Sequence, residues 1–285
     1  MPDLRLLPTT SLVLHEQADQ KRVARLEARL RADGYLKNPP IVAPIPGTDR
    51  YVVLDGANRT SAVANIGYPH ILVQVVDYNS DRVQLFTWYH LITGRTPANF
   101  LQEIKQVPRL SVERAPLEAA RQALAKGTIL AYLSVPGEGG EESGGVYTLN
   151  EVPGNNYHAP LSSTALLNNM VDTYKSDPHV LIHRVNSDTL PELADYYDNV
   201  SGLIVFPTYK PETILELARS GTRVPTGITR HIIDRRALRV NVPTSLLAGA
   251  EPLEEKSAWW HDRMKRKLAD NQIRLYQEAT YLFDE

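Results

Sequence analysis

Short apolar runs alternate with polar, turn-forming stretches along the whole chain, and no run approaches the roughly 20 residues a membrane helix needs. Leu4 to Leu7 predicts a strand ended by Pro8. Asp19 then caps a helix that places Val23, Leu26 and Leu30 on one face, and Gly34 closes it. Asn38-Pro39-Pro40 breaks the chain, and Ile41–Ala43 and Tyr51–Leu54 read as strands around the turn Pro46-Gly47-Thr48-Asp49. Gly56 opens a second turn, followed by a helix over Asn58–Ile66 that Gly67 ends. Ile71–Val76 predicts a strand, Val83–Ile92 is strand-like and aromatic, and Thr96-Pro97 predicts the start of another helix. Residues 1–108 therefore read as one compact α+β unit.

Val107–Pro116 has the look of a connector. After it come a helix over Leu117–Lys126 and a strand over Thr128–Val135. The acidic, glycine-rich run from Pro136 to Gly145 predicts a hairpin tip, because its carboxylates would repel phosphate. Helices at Ser162–Tyr174, Leu190–Tyr197 and Glu212–Arg219 then alternate with strands at Val180–Arg184 and Leu203–Phe206, which predicts a second, α/β unit over 109–250. Gly227–Val242 is an arginine-rich loop and strand. Residues 251–285 form a C-terminal helix and tail. The helix, Leu253–Leu268, carries Trp260, Met264 and Leu268 on one face and Arg263, Lys265, Arg266 and Lys267 on the other.

Composition narrows the function classes. Of 285 residues, 42% are hydrophobic and 22% charged, which is ordinary for a globular domain. A net charge of −2 argues against a surface that tracks nucleic acid, since such surfaces carry a basic excess. With no cysteine, disulfides, thiolate metal sites and cysteine nucleophiles are excluded. The N-terminus has no basic start and a proline breaks its apolar stretch, so a signal peptide is not expected and the reading is cytoplasmic.

The chemistry centres on Leu54-Asp55-Gly56-Ala57-Asn58-Arg59-Thr60. A hydrophobic strand ends at an aspartate, a glycine follows, and a helix begins. Free N–H groups and the partial positive charge at a helix start suit an anion. Gly56 lets the backbone approach a ligand, Arg59 offers a charged fork, and Thr60 adds a hydroxyl. Beside phosphates, Asp55 makes sense as a holder of Mg²⁺ or of a substrate hydroxyl. Read from these residues alone, the segment is a nucleotide phosphate cradle or an Asp-Gly turn with a capped helix.

An ordered set of short motifs resembles the free L-serine kinases of the ParB/sulfiredoxin-like superfamily, and the related kinase-regulator of staphyloferrin B biosynthesis. His15-Glu16-Gln17 comes first, Asp55-Gly56-x-x-Arg59 about forty residues later, then Thr87-Trp88-Tyr89, and far downstream Gly227-Ile228-Thr229-Arg230-His231. The resemblance implies an N-terminal ParB/sulfiredoxin-like domain packed against a second α/β domain. It implies transfer of a phosphoryl group from ATP or ADP, with Mg²⁺, to the hydroxyl of L-serine. Glu16 takes the role of general base, with Asp55 orienting the hydroxyl or the metal. Gly56, Ala57, Asn58, Arg59 and Thr60 hold the phosphates. Trp88, Thr229, Arg230 and His231 hold the amino acid, and His15 orders the neighbouring loop. Many members carry two histidines where this chain has Ala57 and Asn58, so backbone donors at that turn are kept while imidazole chemistry is not. A sulfiredoxin reaction is excluded by the missing cysteine. The competing expectation is a ParB-like nucleotide-binding regulator, responsive to DNA or to a ligand, without kinase activity.

Overall fold

The structure, a computed structural model, describes residues 1–137, 145–152 and 160–276. It divides into two compact units, each discontinuous along the sequence. The first comprises Met1–Val13, Ala18–Val83 and the chain from Ile233 onward; the second comprises Leu14–Gln17 and Gln84–Ile232. These limits differ from the consecutive spans 1–108, 109–250 and 251–285 read from the pattern. Local periodicity locates elements, but which sheet each strand joins depends on partners far along the chain.

The first unit opens with β1 (Asp3–Pro8) and β2 (Leu12–Leu14), followed by α1 (Gln20–Asp33), β3 (Tyr35–Leu36), β4 (Ile41–Pro44), β5 (Tyr51–Asp55), α2 (Ala57–Ile66) and β6 (His70–Val75). Five strands form one sheet in the order β1-β6-β4-β5-β2. β1 runs antiparallel to β6, β4 parallel to β6, and β4 antiparallel to β5. Helix α1 starts where the Asp19 carboxylate accepts the Arg22 N–H and stops at Gly34, as its pattern predicts. Its Val23 and Leu30 are buried, and α1 packs on α2. Val52, Val53 and Leu54 are also buried, which anchors β5 in the core and delivers Asp55 to its end.

The second unit contains β7 (Val83–Thr87), β8 (Tyr89–Thr93), α3 (Pro97–Lys105), β9 (Leu110–Arg114), α4 (Leu117–Ala125), β10 (Ala131–Val135) and β11 (Gly145–Glu151). It continues with α5 (Pro160–Lys175), β12 (Leu181–Val185), α6 (Leu190–Ala194), β13 (Val200–Val205), α7 (Pro211–Ser220) and β14 (Thr229–Ile233). Its six-stranded sheet has the order β12-β8-β13-β10-β11-β9, and every neighbouring pair is antiparallel. The alternation of helices and strands predicts an α/β unit, and the sheet that carries it is antiparallel throughout. Runs of consecutive apolar residues usually mark a parallel strand buried on both faces. Here an antiparallel sheet is covered on both faces. Ile92, Leu133 and Ile204 pack with Phe100 and Met170, whereas their sequence neighbours Leu91, Tyr132 and Leu203 pack with Ala120 and Leu193.

Two further expectations change. Val107–Pro116 is not a connector but carries β9, an edge strand whose polar Glu113 and Arg114 hide its alternation and whose partner, β11, comes much later in the chain. Val83–Ile92 is not one strand: it breaks at Trp88, so that β7 pairs with β14 while β8 joins the large sheet. The glycine-rich run lies partly outside the described residues, with β10 and β11 on either side pairing Val135 with Gly145.

The last elements return to the first unit: β15 (Val242–Pro243), which pairs with β3, then α8 (Thr244–Ala248) and α9 (Leu253–Ala269). The buried residues of α9 are Lys256 and Trp260, whereas Leu268, expected on the same inner face, is 52% exposed. The Lys256 ammonium is satisfied by the carbonyls of Gly249 (2.6 Å) and Leu247 (3.4 Å) and by His70 Nδ1 (3.1 Å), so a charged head closes the corner after α8. Among the described residues no helix is long and apolar enough to cross a membrane.

Candidate functional site

In the first unit, Asp55 ends β5, Gly56 forms the turn and α2 begins at Ala57. Gly56 has φ +98°, and a Cβ there would lie 3.0 Å from Arg59 Nη2 and 3.1 Å from the Cα of Pro40, so both conformation and space call for glycine. No side chain caps α2, and the first N–H groups of a helix have no partner within the helix itself. Arg59 donates through Nη2 to Asp55 Oδ2 at 3.0 Å and through Nη1 to the carbonyl of Asn38 at 2.9 Å. Arg236 donates to the same Asp55 oxygen. Burial alone would raise the Asp55 pKa, but the two guanidiniums outweigh it and hold the carboxyl below its ordinary range.

Two residues of the expected cradle have more local duties. The Asn58 carboxamide accepts the Asp19 N–H at 2.8 Å and so ties the start of α2 to the start of α1. The Thr60 N–H is used inside the helix, on the Gly56 carbonyl at 2.9 Å. The Thr60 side chain is buried, and its hydroxyl has no hydrogen-bond partner. Arg236 was not singled out from the sequence; the available signal was only the arginine-rich character of Gly227–Val242.

In the second unit, Glu16 lies on a short extended segment held against residue 224. The Val224 N–H donates to the His15 carbonyl (2.8 Å) and the Gln17 N–H to the Val224 carbonyl (2.9 Å). The Glu16 carboxylate accepts the Thr229 N–H at 2.7 Å and the Gly227 N–H at 3.1 Å, and it also receives the Thr229 hydroxyl. His15 is buried, its Nε2 2.9 Å from Thr229 Oγ1 and its ring edge-on to His231 at 5.5 Å. Gly227 has φ +75°, and a Cβ there would collide with the Arg184 guanidinium. The Trp88 N–H donates to the Ile228 carbonyl at 2.8 Å, and the Arg230 guanidinium lies 4.2 Å from the Trp88 ring centroid. Glu16, Trp88, Thr229, Arg230 and His231 are thus brought together within this one unit, although 72 residues separate Glu16 from Trp88 and 141 separate Trp88 from Thr229.

Two neighbours escaped the sequence reading because burial carried no pattern. Tyr209 is held well above its ordinary pKa, first by burial and then by the Glu16 charge, so its hydroxyl stays protonated. His90, 1% exposed, hydrogen-bonds Tyr174 Oη through Nδ1 at 2.8 Å.

A half-buried carboxylate stands beside a hydroxyl and two N–H donors, and an arginine stacked on an aromatic ring supplies a carboxylate-binding fork. Among the described residues no group of three or more histidine, aspartate or glutamate side chains could hold a metal ion.

No family model matches the chain. Among curated proteins, it is 38% identical over 101 residues to an ATP-dependent L-serine kinase of Staphylothermus marinus. That match covers 35% of this chain and 40% of the relative, so less than half of the relative's length is matched. It is 25% identical over 289 residues to the ATP-dependent L-serine kinase SbnI of Staphylococcus aureus, covering 99% of this chain and 97% of that one. Among solved structures, a free serine kinase in complex with AMP superposes with a TM-score of 0.71 at 19% identity, covering 86% of this chain and 94% of that chain. The mixed helix-and-sheet fold is therefore that of a free serine kinase structure.

Proposed function

We propose that the chain is a nucleotide-dependent kinase that phosphorylates the hydroxyl of free L-serine to O-phospho-L-serine. The observation that carries this reading is the grouping of Glu16, Trp88, Thr229 and Arg230 within one unit, a carboxylate beside a hydroxyl-binding loop and an arginine fork. Relatives named as L-serine kinases support it. The first unit is read as a ParB/sulfiredoxin-like nucleotide-binding domain, with the backbone from Gly56 to Arg59 receiving the phosphates in place of the longer span that included Thr60, and the second as the holder of the amino acid.

In this mechanism the serine Oγ forms a bond to the terminal phosphorus of ATP or ADP while the bond to the bridging oxygen breaks, and the shortened nucleotide leaves. Glu16 accepts the hydroxyl proton. Arg230 pairs with the serine carboxylate, and the Trp88 face fixes the plane of that arginine. Because charge spreads over the transferred group, positioning and electrostatics carry most of the rate. Asp55 is one carboxylate already paired with two arginines, which fits Mg²⁺ only as an ion carried mainly by nucleotide phosphates and water. The ion would offset phosphate charge there.

Incubation with L-serine, Mg²⁺ and ATP or ADP is expected to yield O-phosphoserine by mass spectrometry. No product from either nucleotide overturns the kinase reading and leaves the nucleotide-binding regulator. That second reading is favoured by one observation, the use of Asn58 as a structural tie where many members carry histidine. Arg230→Ala is expected to raise the KM for serine about 10- to 100-fold, the usual size of a lost charge-assisted contact, with a smaller change in kcat. An unchanged KM removes Arg230 from the serine pocket.

A further inference from the structure

Within the first unit, the segment Asp234-Arg235-Arg236-Ala237-Leu238-Arg239 is built in an unusual way. Arg235 and Arg239 both adopt left-handed backbone, with φ 53° and 52°, a conformation that L side chains seldom take without support. The support is specific. Gln74 on β6 is 3% exposed, and its carboxamide reaches the backbone on both sides of Arg236. Its Nε2 donates to the Arg235 carbonyl at 3.2 Å, and its Oε1 accepts the Ala237 N–H at 2.8 Å. Asn38 Oδ1 accepts the Arg239 N–H at 2.8 Å, and the carbonyl of the same residue accepts Arg59 Nη1. Asn38 therefore ties the arginine loop to the arginine of the phosphate turn.

The effect is to aim Arg236 at Asp55 across 181 residues of sequence. Two guanidiniums then share one carboxylate oxygen at the head of α2. One negative charge cannot balance two positive ones, and the start of the helix adds to the surplus. Of the two, Arg236 is the more exposed, at 39% against 21% for Arg59, and the Asn38 carbonyl holds only Arg59. A polyanion arriving at the turn meets Arg236 first.

We propose that Arg236 is a phosphate-binding residue of the nucleotide site and that Gln74 is its positioning residue. Only the name of the ligand rests on the kinase reading, because nucleotide binding can be measured without turnover. The test is calorimetric titration of ADP and ATP into the full chain and into R236A, R236K and Q74L. R236A is expected to weaken ADP about 10- to 100-fold and to flatten the salt dependence of binding, and R236K to recover part of the affinity. Q74L is expected to weaken ADP several-fold, with the KM for serine unchanged. ADP affinity in R236A within twofold of wild type overturns the proposal. Nucleotide binding by wild type without O-phosphoserine formation overturns the kinase reading instead, and R236A then still decides the role of Arg236. No binding of either nucleotide by wild type overturns both.

Discussion

Glu16→Gln lowers serine phosphorylation by about 10²- to 10⁴-fold, the usual contribution of a well-placed general base. The expectation rests on where the carboxylate is held. Both its oxygens accept hydrogen bonds from the 227–229 backbone and the Thr229 hydroxyl, which fixes the group in place without burying it fully. Glutamine keeps one acceptor oxygen and replaces the other with a donor, so either Gly227 or Thr229 loses a partner. A rise in the KM for serine is therefore expected alongside the fall in kcat, and kcat at saturating serine is the decisive reading. Tyr209 cannot substitute as the base, since burial and the Glu16 charge keep its hydroxyl protonated. ADP affinity should be unchanged, because the Gly56 turn proposed to receive the phosphates belongs to the other unit. A kcat within tenfold of wild type removes Glu16 from proton transfer.

Acid destabilises the second unit through His90. Burial, then the positive charges of Arg184 and Lys175, push its pKa down to about 3, against the smaller opposing effect of the Gly227 backbone. An unfolded histidine titrates near 6.5. Between those values the unfolded chain holds a proton that the native chain refuses, so stability is complete above about 6.5 and falls as pH drops toward 3. The limiting slope is about 1.4 kcal/mol per pH unit, with a ceiling of about 5 kcal/mol over the whole window. Urea unfolding between pH 7 and 4 measures it. His90→Gln cannot titrate and should show a shallower slope than wild type. Asp55 and Asp188, whose pKa values lie below the ordinary carboxylate range, act on stability only at lower pH. Equal slopes in the two proteins would mean that His90 accepts a proton without unfolding.

The turn at Asp55-Gly56 was legible because three local rules coincide there: an apolar strand, a glycine with positive φ, and a helix start. Glu16, Trp88 and Thr229-Arg230-His231 were legible only through their resemblance to a family. Nothing in their own surroundings marks them, and their meeting depends on a bridge between Glu16 and Val224 and a bond from Trp88 to Ile228. Arg236 was invisible for the same reason. Its significance lies in Gln74 and Asn38, which look like ordinary polar residues until the backbone they clamp is known.

The sequence by itself determined the helices with clear caps, the buried strands, the strand–glycine–helix turn at Asp55-Gly56, and the exclusion of all cysteine chemistry. Those features depend on neighbours within a few residues, or on composition alone. The tertiary structure decided the antiparallel order of the large sheet, the break at Trp88, the discontinuous units and the arginine pair on Asp55. Each of these is a pairing between distant segments, and backbone hydrogen bonds carry no sequence label. The turn at Asp55-Gly56, modest when read from its own residues, therefore gains its second arginine only once the chain has returned to it.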